Sequence, residues 1–252
     1  MPKDLKTSFK NKEKIFGSWT SIGHHQISDM LIKSGVSFHG IDLEHSTISQ
    51  EQCQRIISTC HALNISCLPR VASHNSEMIR RILDSGADGI IVPNVELPKQ
   101  VEKIIEWIKY PPMGKRGYGI AKAQEYGHNF NHYISNWNRR SIIVIQIESI
   151  DAVNNIDDIL AFEEIDAVMI GPYDISGSLG IPGQIGHELV EKAASKVIES
   201  CKIYGKSCGT QDVDPTTQSI QNSFNLGYDF IVLSSDVFIL SSWAKKIKKI
   251  IN

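Results

Sequence analysis

Short apolar runs rich in β-branched residues alternate along the chain with longer segments whose apolar positions recur every three or four residues. The short runs, at residues 15–19, 36–42, 65–71, 88–92, 141–147, 165–170, 206–209 and 229–233, predict strands. The longer segments, at 21–35, 49–63, 75–85, 98–109, 151–160, 186–204, 215–226 and 236–250, carry the spacing of amphipathic helices. Local punctuation agrees. Ser49 with Gln52 three residues on is a capping-box pattern, Gly35 and Gly86 close the helices before them, and lysines crowd the end of the last helix, where they suit its dipole. Residues 110–140 break the rhythm, with Pro111-Pro112, Gly114, Gly117 and Gly119 among polar and aromatic residues. A long functional or partly helical loop is expected there.

Eight strand–helix pairs at roughly 30-residue spacing predict a parallel α/β fold, and eight close a (β/α)8 TIM barrel. The length of 252 residues fits the about 250 typical of that fold. A doubly wound open sheet is disfavoured, because no G-x-G-x-x-G turn follows the first strand. No internal repeat is visible beyond the alternation. The expected organisation is a polar N-terminal leader at 1–14 and a single barrel domain at 15–252.

Composition narrows the function class. Hydrophobic residues at 41% and charged residues at 21% suit a soluble globular enzyme. A net charge of −2 gives no electrostatic footprint for nucleic acid or an anionic membrane. No apolar run approaches the roughly 18 residues of a membrane helix, and the Lys-rich leader lacks the apolar segment of a signal peptide. Five cysteines without C-x-x-C spacing predict reduced thiols and a cytoplasmic protein.

In a TIM barrel the chemistry gathers at the C-terminal ends of the strands. Those ends carry Trp19, Asp42 with Glu44-His45, Arg70, Pro93-Asn94, Gln146 with Glu148, Asp174, Thr210 and residues 234–236. Arg70 ends an apolar strand, where an unpaired cation would be costly. The Ser- and Gly-rich run after Asp174 reads as an open loop whose backbone N–H groups could hold an anion. Two carboxylates and a histidine suit either a pair of glycosidase acids or a metal site. Two acids from adjacent strands beside such a loop favour a hard divalent cation that keeps positions open for a chelating 2-oxo acid. His45 would then be a general base and Arg70 a fixed positive charge for an oxyanion. The plainer readings are a surface pair for Glu44-His45, a helix cap for Asp174 and for Asp236, and a loop brace for Arg116.

Read together, the motifs Ile41-Asp-Leu-Glu-His45, Leu68-Pro-Arg70, Leu83-Asp-Ser-Gly-Ala-Asp-Gly-Ile-Ile-Val-Pro93, Pro111-Pro-Met-Gly-Lys-Arg-Gly-Tyr-Gly119, Gln146-Ile-Glu148 and Gly171-Pro-Tyr-Asp-Ile-Ser176 resemble the class II pyruvate aldolases of the HpcH/HpaI family. The resemblance covers nearly the whole chain, from about residue 15 to 250. It implies cleavage of a 4-hydroxy-2-oxo acid to pyruvate and an aldehyde by way of a metal-stabilised enolate, with no organic cofactor. It implies that Glu148 and Asp174 ligate Mg2+, Mn2+ or Co2+, and that Gln146 and the backbone at Tyr173 and Asp174 hold the pyruvate-like head. His45 would be the acid–base residue, Arg70 the oxyanion stabiliser and Asp42 part of the shell around metal-bound water. Asp84 matches the residue that raises the basicity of the histidine, although its place near a helix end equally suits a cap or an ion pair. Hexamers with exchanged C-terminal helices are implied as well. Leu43, Tyr173 and Lys122 depart from the family's usual Gly, Ala and Arg, and these departures bear on the aldehyde. Two alternatives stay open: a 2-oxo acid lyase or decarboxylase using the same enolate, and a metal-binding barrel without turnover.

Overall fold

The alternation of side chains within each strand decides what fills the centre of the molecule. In the computed structural model, which describes residues 4–251, eight parallel strands close a barrel in sequence order. They are β1 (Ile15–Thr20), β2 (Phe38–Asp42), β3 (Ser66–Arg70), β4 (Gly89–Val92), β5 (Ile142–Ile147), β6 (Ala167–Ile170), β7 (Ser207–Asp212) and β8 (Phe230–Leu233). The ring closes where Ile15, Phe16 and Gly17 pair with Phe230, Ile231 and Val232. The outer layer holds α2 (His25–Ile32), α3 (Gln50–Ala62), α4 (Ser76–Asp84), α5 (Pro98–Ile108), α6 (Phe130–Arg140), α7 (Ile150–Asn154), α8 (Ile156–Leu160), α10 (Glu188–Ile203), α11 (Thr217–Leu226) and α12 (Asp236–Ile251). The TIM barrel expected from the strand count is the fold observed.

Successive side chains of a strand point to opposite faces. Ile41, Cys67, Ile90, Ile145 and Val168 therefore join the layer between barrel and helices, and Phe38, Leu68, Ile91, Val144, Met169 and Phe230 fill the axis. Glycine makes room for the aromatics. Gly17 pairs with Phe38, Gly40 with Trp19 and Gly209 with Phe230, and a Cβ on each glycine would overlap its partner's ring. The same inward parity continues upward to Asp42, Arg70 and Gln146, so a packed apolar column ends in a polar mouth.

The leader expected at 1–14 contains a helix that the hydrophobic pattern does not announce. This is α1 (Leu5–Lys10), which closes the barrel floor. Leu5 and Phe9 are buried, and the Phe9 ring lies 5.2 Å from Phe230 and 6.2 Å from Phe38. Lys6 Nζ donates to Asp166 Oδ1 at 2.6 Å and to the Ser141 carbonyl at 2.8 Å. Met1 to Lys3 lie outside the described residues.

Elsewhere the elements follow expectation in part. The loop at 110–140 is partly helical, as expected: it ends in α6, with Trp137 Nε1 bonded to the Ile108 carbonyl at 2.8 Å, and a short 3-10 segment, Lys122–Gly127, comes before it. The helix expected at 151–160 breaks at Asn155, whose side chain caps nothing and donates instead to the Glu96 carbonyl. The open loop expected after Asp174 is a short helix, α9 (Pro172–Ser178). Two strand junctions are tied in the same way. Asp88 Oδ2 accepts from Cys67 N and Asp229 Oδ2 from Cys208 N, each at 2.9 Å across 21 residues of chain. All five cysteines are free and buried.

Candidate active site

The barrel mouth is organised around Arg70. Its register opposite Asp42 gives a two-point ion pair, with Nη2 to Oδ2 at 2.8 Å and Nε to Oδ1 at 3.2 Å. The guanidinium lies over the Trp19 ring, 5.2 Å from its centroid, which fixes a delocalised cation at the top of the apolar column. Burial pushes the Asp42 carboxyl upward, but the Arg70 charge and the backbone N–H groups of His45 and Glu44 outweigh it and hold Asp42 below its ordinary range. Those two N–H groups reach Asp42 Oδ1 at 3.1 Å each, so Asp42 shapes the turn that carries His45.

Opposite Arg70 stand the two acids that end β5 and follow β6. Glu148 is 7% exposed. Burial first, then the negative charges of Asp174 and Glu44, push its carboxyl up to about 7, against a lowering hydrogen bond from Asn94 N. That bond is 2.6 Å long to Oε1, and Oε2 accepts from Gln146 Nε2 at 3.1 Å. Asp174 sits in the first turn of α9, where Pro172 fills the first helical position and fixes the entry angle. Gly171 keeps the space between the acids clear. The point where its Cβ would sit is 3.4 Å from both Glu148 Oε2 and Asp174 Oδ2.

This donor set suits a hard divalent cation. Two carboxylates share one open space, Gln146 Oε1 beside them is buried without a hydrogen-bond partner, and the cost of the crowded negative charge would reverse on binding a cation. Among the described residues no third His, Cys, Asp or Glu completes the set, which leaves positions for water or a chelating substrate. The residues therefore fit the metal that the resemblance implies.

His45 projects into solvent at the rim, its side chain 70% exposed, with Nε2 3.7 Å from Glu44 Oε2. Tyr173 is also exposed at the rim, so its phenol is available to whatever binds outside the acid pair. Asp84 is not brought to His45 within the chain. Its carboxylate accepts from Arg116 Nη2 at 2.7 Å, and no hydrogen bond or ion pair among the described residues joins it to His45. Arg116, fully buried, stacks on Tyr110, Tyr133 and Trp137 at 4.8, 5.6 and 4.6 Å. The pair Asp84–Arg116 therefore ties the segment after α5 to α4.

Asp236 does more than cap α12. It accepts from Thr20 Oγ1 at 2.5 Å, Ser21 N at 2.9 Å and Ile22 N at 3.0 Å, and so braces the loop after β1 beside Asp42. Two further residues at the mouth carry more than their sequence context suggests. Glu44, which reads as half of a surface pair, is largely buried, 3.3 Å from Arg70 Nε. Burial raises its carboxyl although Arg70 opposes the shift. Asn94 adopts a left-handed backbone, φ 54°, and its side chain donates to Glu44 Oε1 at 3.1 Å. The signals available were a polar residue after a Pro-terminated strand and an acid two residues past Asp42.

Comparison with known proteins bears on the family and the fold. A family model described as HpcH/HpaI aldolase/citrate lyase matches residues 17–238. A hydroxypyruvate/pyruvate aldolase of Roseobacter denitrificans is 30% identical, over 98% of this chain and 97% of that one. A 2-keto-3-deoxy-L-rhamnonate aldolase of Salmonella dublin is 28% identical, over 93% and 88%. The crystal structure of an HpcH/HpaI aldolase/citrate lyase family protein from Burkholderia cenocepacia superposes with a TM-score of 0.91 at 25% identity, covering 98% of this chain and 99% of that one.

Proposed function

The chain belongs to the HpcH/HpaI aldolase/citrate lyase family, and from that premise we propose that it cleaves a 4-hydroxy-2-oxo acid to pyruvate and an aldehyde with the help of a divalent cation. It is a carbon–carbon lyase of the aldolase type. The observation that carries the finer reading is the acid pair around the clear space at Gly171, facing a locked guanidinium and a solvent-facing imidazole across one mouth.

Glu148 and Asp174 would hold the cation. When bound, Mg2+, Mn2+ or Co2+ supplies a Lewis acid for the charge that collects on the 2-oxo group as the carbon–carbon bond breaks. Arg70 adds a positive charge held in place before the reaction begins, where a developing oxyanion gains most from it. His45 takes the proton of the 4-hydroxyl in cleavage and returns it in the reverse direction. Gln146 and the backbone at Tyr173 and Asp174 orient the 2-oxo acid head. Lys109, a buried lysine, sits at the opposite end of the barrel with its amine on the Asn138 carbonyl and Ser141 Oγ, and so is not placed to form a Schiff base at the mouth.

The working unit we propose is a homo-oligomer, a hexamer by family resemblance, with α12 exchanged between copies. Among the described residues of α12 only Asp236 is buried. Phe238, Leu240 and Trp243 are exposed, and a cavity of about 480 Å3 lies between this helix and Met30 and Leu31 of α2. No helix of the described residues is long and apolar enough to cross a membrane. The free thiols suit a reducing cytoplasm.

The direct assay is pyruvate release from a panel of 4-hydroxy-2-oxo acids, with oxaloacetate decarboxylation measured beside it. Cleavage is expected to stop with chelator, to return with added cation, and to be lost in Glu148→Ala and in Asp174→Ala. Full metal-dependent cleavage in either variant would overturn the site. A kcat/KM for oxaloacetate far above that for every hydroxy-oxo acid would favour the decarboxylase reading instead.

A further inference from the structure

Away from the mouth, the chain from Cys60 to Val92 and the chain from Cys201 to Leu233 follow one plan, element for element. α3 and α10 end alike. Ile65 N donates to the Cys60 carbonyl at 2.9 Å and Lys206 N to the Cys201 carbonyl at 2.8 Å, after a left-handed Asn64 (φ 58°) in one and Gly205 (φ 69°) in the other. Asn75 and Thr216 cap the next helices, and Gly86 and Gly227 follow them at φ 104° and 106°. Asp88 and Asp229 then hold the Cys67 and Cys208 N–H groups. The adjoining strands agree as well: Ile142 N bonds to the Asp88 carbonyl at 3.1 Å and Ile15 N to the Asp229 carbonyl at 3.2 Å.

What differs is the cation. Lys12, the third residue ahead of β1, places Nζ 3.4 Å from both the Cys201 and Lys202 carbonyls at the end of α10. Burial raises the Asp229 carboxyl, and the Lys12 charge is among the groups that oppose the shift. A helix C-terminus and a carboxylate thus share one primary ammonium, which suits both the helix dipole and the three N–H donors. At Asp88 the residue in the same place is Arg139, the third ahead of β5, and its guanidinium turns back onto Asn136 of its own helix.

The end of α3 and Asp88 border instead a cavity of about 710 Å3 beside α1, at the floor of the barrel, a volume in the range of small-molecule sites. Asp88 Oδ2 is taken by Cys67 N at 2.9 Å and His61 Nε2 at 3.0 Å. Among the described residues Oδ1 has the guanidinium of Arg140 at 3.6 Å, beyond hydrogen-bond reach and on a side chain half in solvent. The cations around the cavity are otherwise engaged: His61 faces Asp88, and the Lys14 ammonium lies over the Phe224 ring at 5.0 Å. The groups left open are acceptors, so a donor and not an anion completes the site.

We propose that this cavity binds a small primary amine as its ammonium ion, held at Asp88 as Lys12 Nζ is held at Asp229. The ammonium donates to the Cys60 and His61 carbonyls and to Asp88 Oδ1, and its apolar tail lies against Leu5, Val36 and Ile65. No covalent bond changes. The site is independent of the mouth and of the aldolase reading.

The test is saturation-transfer NMR on the full chain with three probes. n-Butylammonium is expected to receive saturation from the protein. Tetramethylammonium, which carries the charge without an N–H, and acetate are not. Asp88→Asn is expected to weaken n-butylammonium at least tenfold. Because Asp88 also holds β3, Ser37→Trp is the second variant; it fills the cavity, leaves the Asp88 bonds in place and should abolish the transfer. Arg140→Ala removes a competing cation and should tighten binding. In Lys12→Ala, n-butylammonium should restore thermal stability lost with the lysine, and tetramethylammonium should not. No transfer to n-butylammonium in the parent, or unchanged transfer in both Asp88→Asn and Ser37→Trp, would overturn the proposal. So would acetate binding that is lost in Arg140→Ala, which would mark an anion site, or a Lys12→Ala protein that n-butylammonium does not rescue.

Discussion

At the residue scale, the mouth is defined as much by a missing side chain as by those present. Gly171 has φ −103°, a conformation that alanine adopts without strain. Its Cβ would nevertheless sit 3.1 Å from Glu148 Cβ and 3.4 Å from the facing oxygens of Glu148 and Asp174. Gly171→Ala is therefore expected to weaken cation binding tenfold or more, about 1.4 kcal/mol by the usual conversion, with little loss of thermal stability. Mn2+ titration followed by electron paramagnetic resonance checks this, and unchanged affinity would remove Gly171 from the account. Residues at this scale were unevenly legible. Arg70 stood out because a cation ending an apolar strand needs a partner, and Asp42 opposite supplies it. Glu44 and Asn94 were placed at the mouth by their strand ends, but their contacts were opaque, because what singles them out is an unpartnered oxygen and a left-handed backbone, neither of which leaves a mark in residue type. Asp84 matched a motif, yet its geometry within the chain belongs to Arg116.

At the element scale, the strands were legible because a buried parallel strand is a short β-branched run whichever way it faces. Their inward parity then delivered Asp42, Arg70, Gln146 and Glu148 to one end. Elements were missed where few side chains are buried. α1 buries Leu5, Ser8 and Phe9 within a Lys-rich stretch, too few to show a periodicity, and α6, inside the segment expected to be partly helical, buries only Tyr133 and Trp137, too few to give its bounds. α9 was hidden because Ser and Gly suit a loop better than a helix, and its register comes from Pro172 and the packing of Ile175. The layer between β2 and the helices holds a second consequence. His39 is fully buried, with Nδ1 2.7 Å from Ser18 Oγ and Nε2 without a partner. Burial lowers its pKa to about 3. Below the ordinary value of 6.5 the unfolded chain binds a proton that the folded chain refuses, so stability is present above that pH and is lost as pH falls toward 3. The expected slope is about 1.4 kcal/mol per pH unit over that window. Urea midpoints from pH 7 to 4 should fall more steeply in the parent than in His39→Gln, and parallel curves would contradict this.

At the scale of the whole molecule, the barrel is finished at its floor and unfinished along α12. Phe9 seals the lower end, whereas the last helix leaves Val237, Phe238, Ile239, Leu240 and Trp243 exposed, a concentration of apolar side chains of the kind that marks interaction surfaces. Sedimentation is expected to give a multiple of the 28.1 kDa chain mass, and Phe238→Asp to shift the distribution toward the monomer. A parent sedimenting at 28.1 kDa would contradict the exchange of α12.

That this mouth forms and protonates a pyruvate enolate can be tested without knowing the aldehyde. Metal-stripped protein would be incubated with pyruvate in D2O, with and without Mg2+, Mn2+ or Co2+, quenched with chelator, and the methyl proton signal followed by NMR. Loss of that signal is expected only with added cation, and its retention is expected in His45→Ala and in Glu148→Ala. No exchange with any cation, or exchange that persists in both variants, would contradict it.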